Sequence, residues 1–231
     1  MTTYTQNFYV ERNRLTRYAA DKILGLALTQ IPHVSSALDI GCGVGTWLSV
    51  LKERFGVGYV TGYDGPWVDP ALLRISQCEF SEIDIEQGLP PISRRYDLAI
   101  SLEVAEHLSP ARGAELVTFL TESSDHVLFS AAIPGQGGTG HLNEQWPAYW
   151  ADLFHARGYG ALDTLRGQIW NDTQIPVWYR QNPLLFVRGV PMVSPLPLVH
   201  PDLYLAYADP GVLGSFKTLR RSIRQYVRGA V

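Results

Sequence analysis

Residues 38–47 read Leu38-Asp39-Ile40-Gly41-Cys42-Gly43-Val44-Gly45-Thr46-Trp47. A short apolar run over 37–40 leads into three glycines at alternate positions, and an apolar helical period follows over 45–55. Alternate glycines let a backbone turn tightly and approach a ligand that a Cβ would hold off. The first turn of the helix then offers its unpaired N–H groups to the same place. A chain that runs strand, glycine turn and helix in this way is predicted to fold as α/β layers, with its ligand at the strand's carboxyl edge.

The pattern repeats along the chain. Helical spacing of Leu15, Tyr18, Ala19, Ile23 and Leu26 predicts an amphipathic helix over 13–30, closed by Pro32. Strands are predicted over 37–40, 58–63, 78–85, 96–102, 126–133, 161–166 and 184–188, with helices over 45–55, 111–123 and 146–157. Seven strands alternating with helices imply a mostly parallel sheet covered on both faces. Residues 191–211 hold five prolines, too many for regular structure, and predict an extended arm. A final helix is expected over 215–228.

Dinucleotide folds place their third glycine one residue later than Gly45, where this chain has Thr46. Three further strand ends carry acids. Asp64 closes the second strand, 19 residues after Gly45, where a carboxylate can accept both hydroxyls of a ribose. Asp84-Ile85 closes the third, placing a carboxylate beside an apolar side chain. Residues 96–100 lead to Glu103 at the end of the fourth. Over roughly 37–189 the chain resembles the class I S-adenosylmethionine (SAM)-dependent methyltransferases. The resemblance implies a Rossmann-like, doubly wound fold. It also implies that Gly41, Gly43 and Gly45 cradle SAM, with Asp39 near the methionine amino group. Asp64 would hold the ribose, Asp84 and Ile85 the adenine, and Glu103 would line the pocket.

The acceptor side carries Glu103-Val104-Ala105-Glu106-His107 after the fourth strand and a glycine-rich loop, 135–140, before His141-Leu142-Asn143-Glu144. Two readings stay open. Many methyltransferases of this class carry Glu-x-x-Glu-His with no metal. The small-RNA 2′-O-methyltransferases, which this pattern also resembles, use it with a later His to bind a divalent ion. That resemblance makes Glu103, Glu106, His107 and His141 candidate ligands of Mg2+ or Mn2+, and His141 and His107 candidate general bases. Trp146, Trp178 and Tyr179 are candidate substrate residues, able to stack on a sugar or aromatic ring. The run around the loop is also similar to small methyltransferases that accompany glycan assembly. The expected reaction is therefore O-methylation of a sugar or glycosylated metabolite. A phenol or quinol acceptor, or a SAM-binding protein without catalysis, are the alternatives.

Composition sets the remaining limits. Apolar residues are 46 %, enough to bury a core. Two cysteines, Cys42 and Cys78, cannot frame a chain of 231 residues and suit a reducing compartment. No signal peptide or membrane span is expected, which makes the expected location cytoplasmic and the sequon at Asn171 a chance match. Five basic residues and no acid lie from Ser215 onward, leaving 14 basic against 22 acidic residues before it, a net of −8. A body that acidic argues against a nucleic-acid partner. The basic final helix, with Phe216, Leu219, Ile223 and Tyr226 near one face, suits peripheral contact with an anionic membrane. The expected layout is a methyltransferase domain over 1–190 and the arm with its helix over 191–231. Within the domain, a cofactor half covers about 37–133 and a substrate half 134–190. Nothing in the sequence fixes an oligomeric state.

Overall fold

The computed structural model describes residues 6–207. Helix α1 (Gln6–Leu28) precedes β1 (Ser36–Ile40), α2 (Thr46–Phe55) and β2 (Tyr59–Asp64). Then come β3 (Phe80–Glu82), β4 (Leu98–Leu102), α3 (Pro110–Ser123) and β5 (His126–Ser130). The second half adds α4 (Pro147–His155), β6 (Tyr159–Leu162), α5 (Arg166–Ile169), α6 (Val177–Gln181), β7 (Leu184–Arg188) and α7 (Pro201–Tyr207). The strands form one sheet in the order β3-β2-β1-β4-β5-β7-β6. Strands β1 to β5 pair in parallel, and β7 runs antiparallel to both β5 and β6. The order reverses between β1 and β4, which opens a crevice at their carboxyl ends.

The central strands are buried along their whole length, as strands covered on both faces must be. Side-chain alternation divides the core into two layers. Leu98, Ile100 and Leu128 pack with Ile23, Leu24, Leu48 and Leu51 from α1 and α2. Ala99, Val127 and Phe129 pack on the other face with Leu116, Leu120, Trp150 and Phe154 from α3 and α4. The start of α3 is fixed by Ser109, whose hydroxyl accepts from the Arg112 amide, with Pro110 in the first helical position.

Several expectations need correction. Helix α1 begins at Gln6, well before residue 13. The third strand is three residues long. Its expected start is a 3-10 turn over Gln77–Glu79, closed by a reciprocal Ser76–Glu79 cap, so Asp84 and Ile85 lie past its end. The sixth strand ends at Leu162, and Arg166 starts a helix, because its guanidinium is buried against Asp163 and the Gln181 and Leu196 carbonyls. The arm is irregular only over 191–200; Pro201 then opens α7, a position proline tolerates. The arm is tied to the body. Gln181 bonds the Leu198 carbonyl and the His200 amide, and Arg180 pairs with Asp202 at 2.8 Å. The expected basic helix over 215–228 lies outside the described residues. Among those described, no helix is long and apolar enough to cross a membrane.

Candidate active site

The turn between β1 and α2 has Gly41, Gly43 and Gly45 at φ +80°, +55° and +78°, a region that costs side-chain-bearing residues energy. The three are not equivalent. A Cβ on Gly41 would overlap Val104, and one on Gly45 would lie 2.8 Å from Ile75. A Cβ on Gly43 would meet nothing within 4 Å. Gly43 is therefore the glycine that faces open space.

Asp39 ends as a buried acid with Oδ2 unpartnered. Burial, then the nearby Asp64 charge, drives its carboxyl well above the usual range. An orphaned carboxylate oxygen beside a glycine turn fits a cationic amine. Asp64 clamps the turn: its carboxylate accepts from the Gly43 amide at 2.6 Å and the Gly65 amide at 2.7 Å. Burial raises its pKa against those bonds and a third from the Trp67 side chain. With two oxygens it still has acceptor capacity to spare. Sequence reasoning missed Trp67. Its ring lies directly on Gly65, yet the residue is 67 % exposed, leaving much of the indole to solvent near Asp64. The Gly65-Pro66-Trp67 run after a strand-end acid was the available signal. Ile85 is buried in the core layer, whereas Asp84 is exposed and caps its own turn through the Glu86 amide.

Glu103 is the only described residue other than glycine with positive φ, at 57°. Its carboxylate accepts from Ser130 Oγ at 2.7 Å, Gln136 Nε2 at 3.2 Å and Asn182 Nδ2 at 3.0 Å. Burial raises its pKa while those three bonds oppose the rise. Ser130 and Gln136 were not expected here from sequence, because they come from β5 and the loop after it.

Glu106, His107 and His141 come together: one ligand atom from each lies within 4.8 Å of the others. The fourth expected ligand, Glu103, is not in this group, because its oxygens face Ser130, Gln136 and Asn182. Glu106 is buried, and its Oε2 has no partner. Burial, then the Glu103 charge, pushes its carboxyl well above the usual range. The His107 and His141 rings meet edge-on at 4.8 Å. The loop that carries His141 is attached here by the Leu142 and Asn143 amides, which both donate to the Glu106 carbonyl. His141 Nδ1 lies 2.8 Å from Glu144 Oε1.

Of the expected substrate residues, Trp146 is 41 % exposed where α4 begins. Trp178 is half-buried. Tyr179 packs edge-on against Trp47 at 5.3 Å and belongs to the margin of the core, so its ring is a packing element.

A family model described as a methyltransferase domain matches residues 10–164. The chain belongs to the class I SAM-dependent methyltransferase family. Among curated relatives, trans-aconitate 2-methyltransferase of Klebsiella pneumoniae (strain 342) is 28 % identical over 177 residues, covering 74 % of this chain and 57 % of that one. The chain spans between 29 % and 58 % of the length of the curated relatives it matches. An O-methyltransferase family protein from Burkholderia thailandensis superposes with a TM-score of 0.58 at 14 % identity, covering 79 % of this chain and 58 % of that one. Human N-acetylserotonin methyltransferase in complex with SAM gives 0.53 at 12 %, covering 80 % and 57 %. At such identities these two show a shared fold. For a methyltransferase of this family, the open face of Gly43 and the orphaned Asp39 oxygen fit SAM. The Glu106–His107–His141 donor set fits a divalent ion.

Proposed function

We propose that this methyltransferase family member transfers the SAM methyl group to a hydroxyl oxygen of a sugar or glycosylated metabolite, assisted by a divalent ion. The observation that carries the reading is the convergence of Glu106, His107 and His141 at the carboxyl edge of β4, with a buried carboxylate oxygen left unpaired. Bound SAM supplies an electrophilic methyl group for in-line displacement from sulfur to oxygen. Asp39, Asp64 and the Gly43 face hold and orient it, and positioning supplies much of the rate. A neutral hydroxyl must lose its proton during attack. His141 or His107 takes it as general base, a role worth about 10²–10⁴-fold. Alternatively, an ion at the cluster would lower the hydroxyl pKa directly, as it lowers that of water, and the imidazoles that hold it would then be ligands in place of the base. Two imidazoles with one carboxylate favour manganese or another transition ion over magnesium. The half-exposed Trp146 supports a sugar ring as the neighbour.

The curated relatives favour a second reading, a carboxylate acceptor. Glu144 stands against it: against the upward pull of burial, its hydrogen bonds with His141 and the Gly135 and Gly137 amides hold its carboxyl below the usual range, and a carboxylate there would repel a multiply charged anion. One assay separates the two: the full chain with SAM, offered a panel of glycosides and trans-aconitate, with S-adenosylhomocysteine and methylated product followed by mass spectrometry. Methylated glycoside, lost on chelation and restored by Mn2+, is expected. Methylated trans-aconitate alone would overturn the hydroxyl reading, and full glycoside turnover after exhaustive chelation would remove the ion.

A further inference from the structure

We propose that Glu144 is a positioning residue that holds the His141 imidazole with its proton on Nδ1, making Nε2 the working nitrogen of the Glu106–His107–His141 cluster. The inference rests on reading that cluster as the reactive centre.

The Glu144 Oε1 to His141 Nδ1 distance is 2.8 Å. An ionised carboxylate can only accept, so the hydrogen on that line belongs to Nδ1, and in the neutral ring the bare lone pair is then on Nε2. Glu144 is itself fixed. Its Oε1 also accepts from the Gly137 amide at 2.7 Å, and its Oε2 from the Gly135 amide at 2.8 Å. Rotating the carboxylate away from His141 would strand two loop amides. Gly138 leaves room for the opposite edge of the ring, where an added Cβ would overlap His141 Nε2. The Gly138 backbone is not among those at positive φ, so the space taken by the imidazole, and not conformational strain, demands glycine there. The His107 ring stands edge-on at 4.8 Å. Glu144 and His107 thus confine one ring from two directions, and Gly138 leaves room at its Nε2 edge. A carboxylate behind a working histidine is the usual way in which its tautomer and orientation are set.

Two variants test this from opposite sides. Glu144→Leu keeps much of the side chain's bulk but removes both acceptor oxygens. Gly138→Ala leaves Glu144 intact and crowds Nε2. The first readout is the imidazole nitrogen NMR spectrum of the full chain, labelled at histidine and without added metal, with the His141 signal assigned by its loss in His141→Ala. The expected wild-type form is Nδ1–H with a bare Nε2, and Glu144→Leu should shift it toward Nε2–H. The second readout is calorimetric titration with Mn2+. Both variants should weaken Mn2+ binding about 10–100-fold, while SAM affinity stays within about twofold, which excludes a collapse of the fold. An Nε2–H tautomer in the wild type, or an unchanged tautomer in Glu144→Leu, overturns the proposal. If wild-type protein binds no Mn2+ at all, the ion-assisted reading of the site fails, and the tautomer still decides the role of Glu144.

Discussion

Gly41→Ala and Gly43→Ala add the same methyl group to the same loop, and the structure expects different consequences. Both residues sit at positive φ, +80° and +55°, which costs alanine about 1–2 kcal/mol. At Gly41 the new Cβ also overlaps Val104, and overpacking of that kind adds about 1–3 kcal/mol. The total is about 2–5 kcal/mol. At about 2–4 °C per kcal/mol for a chain of this size, the melting temperature should fall by roughly 4–20 °C. At Gly43 nothing lies within 4 Å, so only the backbone cost applies and the fall should be roughly 2–8 °C. That same empty space is where the proposed site would receive the cofactor. A methyl group there should cost SAM binding about 1–3 kcal/mol, or about 5- to 150-fold in affinity. Thermal melts and titration calorimetry on both variants measure the two effects separately. Unchanged SAM affinity in a folded Gly43→Ala protein would refute the placement of the cofactor, and equal destabilisation by both variants would refute the packing argument.

Glu106→Gln should flatten the pH dependence of stability. The folded state holds a proton on Glu106 above the usual carboxylate range while the unfolded chain has released it, so stability falls as pH rises through that window. Ion-free wild type should therefore melt progressively lower as pH rises above the usual carboxylate range, and a slope that Glu106→Gln leaves unchanged would count against the buried, unpaired carboxylate. Trp67 should report on the cofactor. SAM should change the tryptophan fluorescence of the wild type, and Trp67→Phe should lose most of that change; an identical change in both proteins places Trp67 away from the ligand.

The sequence by itself determined the features that depend on neighbours along the chain. The glycine turn of residues 41–45 was legible because alternate glycines before a helix serve few other purposes, and Asp39 and Asp64 because strand ends follow from short apolar runs. Helix α2 and strands β1, β2, β4 and β7 came within two residues of their expected bounds for the same reason. Tertiary structure decided what meets what. Glu103 and Glu106 stand three apart in one short motif, yet one is bound by Ser130, Gln136 and Asn182, separated from it by 27, 33 and 79 positions, and the other faces two imidazoles. Tyr179 and Trp178 are adjacent aromatics, but only contact with Trp47 assigns the tyrosine to the core margin. The antiparallel direction of β7 likewise rests on its pairing with β5 and β6. Local periodicity carries no information about partners dozens of residues away, because those contacts are set by how the layers pack and not by the order of the residues within them.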